Sequence, residues 1–83
     1  MIRLRYFASL RETLGVGDEQ LELPAGIRDV GGLCELLRGR GDNWDSALAN
    51  QQLHVAVNQV IASPDAVIED GDEVAWFPPV TGG

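Results

Sequence analysis

Lysine is absent from the 83 residues, and cysteine and histidine occur once each, as Cys34 and His54. A single thiol excludes an intrachain disulfide framework, a four-thiolate zinc site and a cysteine-ligated iron–sulfur cluster, and it suits a reducing compartment. No apolar run approaches the ~20 residues of a membrane span, and Met1-Ile2-Arg3-Leu4-Arg5 lacks the long apolar stretch of a signal peptide. The expectation is a cytoplasmic protein with no membrane partner. Positive charge is also scarce: six arginines face thirteen acidic residues, for a net charge of −7. That balance argues against nucleic acid, which needs a basic face, and favours a basic protein surface. A solvated acidic exterior that keeps a small protein soluble explains it equally well. The imbalance is uneven, since all six arginines lie in residues 1–41 while residues 42–83 hold seven acids and no basic side chain other than His54.

The chain length allows one domain, over residues 1–83, and a chain of this size buries only roughly 60% of its unfolded surface. A deep catalytic cleft is therefore not expected. Function is to be sought at an edge or a terminus.

Residues 2–7 alternate, with Ile2, Leu4 and Tyr6 on one face and Arg3, Arg5 and Phe7 on the other, which predicts a half-buried strand. Residues 10–17, with Gly15 and Gly17, read as a loop, and residues 20–23 alternate again before Pro24, so a β-hairpin with a longish connection is expected. Asp29 is an N-cap candidate, and Val30, Leu33, Cys34 and Leu37 follow at helical spacing, predicting a helix over 29–38 that packs on the sheet. Residues 43–49, with Trp44 and Leu48 four apart, suggest a short helical turn covering a sheet edge. Leu53, Val55 and Val57 alternate as a strand, Asn58-Gln59 is a turn into Val60-Ile61, and Glu73 to Phe77 forms the last strand before Pro78-Pro79. Val74 and Trp76 face one side of it, Ala75 and Phe77 the other. This order fits a mixed sheet crossed by one main helix, in the α+β class.

Enzymatic constellations are few. A pair between Cys34 and His54 would join the helix stripe to a strand, and a packed thiol beside a polar strand residue is the simpler account. Gly31-Gly32 lack the spacing of a phosphate loop. The cluster Glu69, Asp70, Asp72 and Glu73 lacks calcium-loop spacing and marks a solvated turn, leaving no metal site expected.

The C-terminus is different. Two prolines cannot continue a ladder, so the residues after β-rich Glu73 to Phe77 should project as a tail, 79–83. Fully extended, that tail reaches about 16 to 18 Å, which suits entry into another protein's active site. Terminal glycines present a carboxylate through a narrow channel with no side chain in the way. A frayed end that happens to finish in glycine is the alternative.

Three segments carry a resemblance over nearly the whole chain: Tyr6-Phe7-Ala8-Ser9-Leu10-Arg11-Glu12, Val57-Asn58-Gln59, and the stretch from Asp70-Gly71-Asp72-Glu73-Val74 through Trp76-Phe77-Pro78-Pro79-Val80-Thr81-Gly82-Gly83. With these the sequence resembles the MoaD family, the ubiquitin-like sulfur carriers that form the small subunit of molybdopterin synthase. The resemblance implies a β-grasp fold and a two-stage cycle. An E1-like, MoeB-like enzyme would use ATP and magnesium to adenylate the Gly83 carboxylate, and a sulfur donor enzyme would replace AMP to leave a thiocarboxylate. The tail would then enter a MoaE-like large subunit and give sulfur to cyclic pyranopterin monophosphate, building the molybdopterin dithiolene within a heterotetramer. Gly83 is then the carrier and Gly82 its access, no cofactor is bound by this chain, and alone it has no turnover. Phe7, Ile61 and Phe77 are expected to form an apolar docking patch, with Arg11 on the loop after the first strand and Pro78, Pro79, Val80 and Thr81 leading into the partner. One or more of the three apolar residues being core is the alternative.

Other readings stay open at this point: a sulfur carrier for thiamine synthesis or tRNA thiolation, a conjugating modifier whose tail forms isopeptide bonds, or a plain interaction module. With no lysine, the only primary amine able to attack the chain's own activated terminus is the N-terminal one; a GC-rich coding bias toward arginine accounts for the same fact.

Overall fold

The computed structural model describes residues 1–50 and 52–78. Strand β1, Ile2–Tyr6, alternates buried and exposed positions as its sequence requires, burying Ile2, Leu4 and Tyr6 to 1% exposure or less. It pairs antiparallel with β2, Asp18–Leu21, in the register Ile2 to Leu21 and Arg5 to Asp18. The expected hairpin is therefore present, but its second strand begins two residues earlier than 20–23. Arg3 forks onto Asp18, which holds that end of β2 in the ladder, while Leu23 packs on the core outside it.

The connection expected as a loop contains helix α1, Ser9–Leu14. Leu10 is buried and Leu14 half-buried against the core, one helical turn apart. Gly15 is the left-handed stop of this helix, with φ 77° and its N–H bonded to the Arg11 carbonyl. Helix α2, Val30–Arg38, begins where expected: Asp29 has extended backbone and its carboxylate accepts from the Gly32 N–H at 2.8 Å. Val30, Leu33 and Leu37 are its buried stripe. Helix α3, Asp42–Leu48, is the short helical turn expected at 43–49, begun one residue earlier. It does not cover a sheet edge. It packs on α1 and α2, and Trp44 meets Tyr6 of β1 edge-on at 5.4 Å.

Strands β3, His54–Val57, and β4, Val60–Ala62, form the second hairpin, and β5, Glu73–Phe77, completes the sheet. The order is β2-β1-β5-β3-β4, with β1 and β5 parallel and every other pair antiparallel. The last strand thus lies in the middle, and Val74 and Trp76 are its core residues. The mixed α+β sheet is as expected; its helical layer has three helices where one main helix was expected.

One polar cluster ties the layers together. The Tyr6 hydroxyl donates to Glu19 at 3.0 Å, both Glu19 oxygens accept from the Arg40 guanidinium at 2.8 and 2.9 Å, and that guanidinium lies 4.6 Å over the Trp44 ring. Burial and the Glu19 charge push the Tyr6 phenol well above its ordinary value, and the bonds from Arg40 and Tyr6 hold Glu19 below the usual carboxylate range. No helix among the described residues is long and apolar enough to cross a membrane.

Candidate functional site: the outer sheet face and the end of β5

The helices cover one face of the sheet, and the other carries the candidate residues. Strand register assembles it. Phe7 extends β1 beside Phe77, donating its N–H to the Trp76 carbonyl at 3.1 Å, while His54 is the partner of Phe77 on β3. In the next row, Arg5 pairs with Ala75, Ala75 with Ala56, and Ala56 with Ile61. Ile61 is 66% exposed and Phe7 38% exposed, while Phe77 is half-buried, its ring stacked on His54 at 5.6 Å. Two alanines flanked by larger side chains leave a shallow apolar surface rimmed by Phe7, Phe77 and Ile61. None of these three belongs to the core cluster.

The β1 side of this face carries Arg5 and Arg11 beside the carboxylates of Glu73 and Asp18. Arg5 sits 4.9 Å over the Phe7 ring and 3.6 Å from Glu73. Arg11 lies on α1, not on a loop, and its exposed side chain rests against Gly17 and lines a surface depression with Arg5, Phe7 and Ala8. Ala8 sets this corner: with φ 53° and ψ −128° it occupies the first central position of a type II′ turn, closed by the Leu10 N–H on the Phe7 carbonyl at 3.1 Å. Such angles favour glycine, so an alanine there holds Phe7 and α1 in place at a cost of about 1 to 3 kcal/mol.

Pro78 follows β5 directly and lines a depression between α1 and α3 with Ser9, Thr13, Ser46 and Asn50. Pro79, Val80, Thr81, Gly82 and Gly83 lie outside the described residues.

The remaining candidates have ordinary partners. The Cys34 thiol donates to the Leu48 carbonyl at 3.8 Å on the helix side, burial pushes it up, and the His54 ring stacks on Phe77 on the outer face, so the two are not neighbours. Asp70 pairs with the Met1 amine, which holds its carboxyl below the usual range. Asp72 accepts from Asn58 at 3.0 Å and from the Glu69 N–H at 2.8 Å. Among the described residues, no three acidic, histidine or cysteine side chains are arranged to hold a metal ion.

A five-stranded mixed sheet with parallel first and last strands and a helix across one face is the β-grasp arrangement of ubiquitin-like proteins. The ThiS family model matches residues 4–83, and the chain belongs to that family. It is 43% identical over its full length and the full length of the relative to the molybdopterin synthase sulfur carrier subunit of Escherichia coli K12. Among solved structures, it is similar to SAMP1 from Haloferax volcanii, with a TM-score of 0.82 at 27% identity over 99% of this chain and 98% of that one. It is also similar to a putative molybdopterin converting factor subunit 1 from Pyrococcus furiosus, with a TM-score of 0.78 at 34% identity over 95% and 97%.

Of the residues singled out in the sequence, the structure brings Phe7, Ile61, Phe77 and Arg11 around one face and places Pro78 on the helix side, in the depression between α1 and α3. His54 was missed as a member of that face. The alternation that buries Leu53, Val55 and Val57 already assigned it to the opposite side.

Proposed function

We propose that this chain is the sulfur carrier subunit of a molybdopterin synthase, with the carboxyl group of Gly83 as the carrier atom group. The observation that carries the reading is the full-length 43% identity to a molybdopterin synthase sulfur carrier subunit, in a chain whose central strand runs directly into Pro78-Pro79-Val80-Thr81-Gly82-Gly83. A carboxylate is a poor electrophile. An adenylating partner makes it reactive by letting a carboxylate oxygen attack the α-phosphorus of ATP, with pyrophosphate leaving and magnesium screening the phosphates. Sulfur at the sulfide level from a donor enzyme then attacks the acyl carbon, and AMP leaves with the carbon–oxygen bond. The resulting thiocarboxylate is a sulfur nucleophile on an unbranched Gly-Gly stem, suited to reach cyclic pyranopterin monophosphate inside a large synthase subunit. Once its sulfur has displaced an oxygen leaving group from a side-chain carbon of the pterin, hydrolysis of the acyl–sulfur bond returns the carboxylate and leaves a thiolate on the pterin.

The chemistry explains the division of labour. Phosphate binding and general acid–base groups belong to the partners, while this chain supplies a docking face of Phe7, Ile61 and Phe77, Arg11 beside it, and the tail. The apolar centre gives affinity and the rim arginines orient an acidic partner group. The setting is the cytoplasm, and the assembly a heterotetramer built around two large subunits.

Reconstitution tests this. Protein carrying a Gly83 thiocarboxylate, confirmed by intact mass, is mixed with a large synthase subunit and cyclic pyranopterin monophosphate; dithiolene should form as Gly83 returns to a carboxylate. Full activity after deletion of Gly83 would sink the reading. The likeness to SAMP1, a small archaeal modifier protein, favours a second reading as a conjugating modifier, for which tagged protein would give ladders of heavier conjugates on denaturing gels.

A further inference from the structure

Among the described residues, three that are not glycine have positive φ: Ala8, Asn58 and Gln59. The last two form the tight β3–β4 turn, where the Asn58 side chain accepts from the Glu73 N–H and donates to Asp72, both at 3.0 Å. Those bonds offset the backbone cost, and asparagine tolerates the left-handed region. Ala8 has no such compensation. Its ψ of −128° lies far from the left-handed helical well, its methyl cannot hydrogen bond, and the residue is exposed and outside the core cluster. Its neighbours hold it there. On the β1 side the Tyr6 N–H donates to the Gly17 carbonyl at 3.0 Å and the Phe7 N–H to the Trp76 carbonyl at 3.1 Å. On the α1 side Leu10 is buried, and its N–H closes the turn on the Phe7 carbonyl. Glycine would adopt these angles without strain, and the chain does use glycine for positive φ at Gly15, the other end of α1. Stability therefore does not account for an alanine at position 8. What distinguishes the position is its place: it joins Phe7 to the helix that carries Arg11, and all three line one surface depression.

We propose that Ala8 is a positioning residue for partner docking: its methyl group confines the backbone of this corner, so that Phe7 and Arg11 meet the large synthase subunit already at their working separation. The inference rests on the carrier reading and deepens its docking surface. Phe7 is fixed in the ladder, whereas Arg11 moves with α1, so rotation about the Ala8 backbone bonds alters the spacing between them. A glycine permits that rotation over a broad range of angles. An alanine at φ 53° meets steep repulsion on small excursions, and the large jump to negative φ would break the bonds that flank it. The corner is thus narrow as well as strained. Binding to a narrow corner orders little, while a glycine corner has to be ordered during docking and loses affinity by it. Strain stored beside a recognition surface is one form of pre-organisation, and here it falls between two residues of the docking face.

The experiment compares wild type with Ala8→Gly and with a full chain carrying D-alanine at position 8, assembled by chemical ligation at Cys34. With both signs reversed, the Ala8 angles fall in the polyproline region that L-residues favour, so D-alanine removes the strain and keeps the corner narrow. Urea denaturation and calorimetric titration into the large synthase subunit are the two readouts. Both substituted chains should unfold at higher urea than wild type. Ala8→Gly should bind about three- to tenfold more weakly, and D-alanine should restore affinity to within about twofold of wild type. Ala8→Gly that binds at least as tightly as wild type overturns the proposal while leaving the carrier reading intact. So does an equal loss in both chains, which would make the methyl itself a partner contact, or a lower urea midpoint for Ala8→Gly, which would give the methyl a role in the fold. Wild type that forms no complex overturns the carrier reading and this one together.

Discussion

Replacing Glu19 with Gln removes one negative charge from the Tyr6–Glu19–Arg40–Trp44 cluster and leaves an amide oxygen to accept from the Tyr6 hydroxyl. The Glu19 side chain is 22% exposed and that of Arg40 32%, and the pair is joined by two bonds of 2.8 and 2.9 Å. A fully exposed pair is worth about 0.2 to 1 kcal/mol, and a hydrogen bond to a charged group about 1.5 to 3 kcal/mol. This pair lies between those cases, so Glu19→Gln should cost about 1.5 kcal/mol at pH 7. For a domain of this size that is roughly 6 to 12 °C in Tm. Arg40→Met keeps an aliphatic stem over Trp44, and a cycle with Glu19→Gln should show a coupling of about 1 kcal/mol. The pH dependence has a definite sign. Arg40 and Tyr6 hold Glu19 below the usual carboxylate range, so the unfolded chain takes up its proton first as the pH falls. The stability gap between wild type and Glu19→Gln is complete above about pH 5.5 and closes as the pH falls through and below the ordinary glutamate value of about 4.3. Urea denaturation at pH 3, 4, 5.5 and 7 measures it. A gap under about 0.5 kcal/mol at pH 7, or one that persists undiminished at pH 3, would refute the assignment of stability to this pair.

Three further outcomes follow from named contacts. Asp29→Ala removes the acceptor of the Gly32 N–H at the start of α2 and should lower stability by about 1 kcal/mol in chemical denaturation. The β3–β4 turn has φ 52° at Asn58 and 69° at Gln59, a type I′ geometry that favours Asn-Gly; Gln59→Gly should raise stability by up to about 1 kcal/mol, and a loss would show that Gln59 makes a contact worth more than its strain. Phe77→Ala should weaken binding to the large synthase subunit at least about tenfold, with the folded near-UV dichroism retained; unchanged affinity would remove Phe77 from the docking face.

The strands and α2 were legible because each rests on a local signal: period-two alternation in β1 and β3, a β-rich apolar run stopped by Pro78-Pro79 in β5, and a cap followed by an apolar stripe in α2. Helix α1 was not, because Gly15 reads as a loop residue until its left-handed geometry shows it stopping a six-residue helix. The sequence could not reveal that α3 packs over Tyr6, nor that Glu19 and Arg40, 21 residues apart, meet at that tyrosine. Phe7 and Phe77 were correctly assigned to the side of their strands opposite Tyr6 and Trp76, whereas bringing Ile61 alongside required the β3–β4 register. His54 shows an available signal left unused: its position in the alternation was clear, and only its polarity suggested that it was a bystander.

The central, parallel placement of β5 has a mechanical meaning. On the carrier reading proposed above, a partner that draws the C-terminal residues into its active site loads β5, which is bonded on both sides, to β1 and to β3. Force along the strand axis loads the ladder hydrogen bonds together, in shear, and cannot peel them off one at a time as it would on an edge strand. On that same reading, the domain acts as a handle: its end is gripped and released while the body that carries it stays folded.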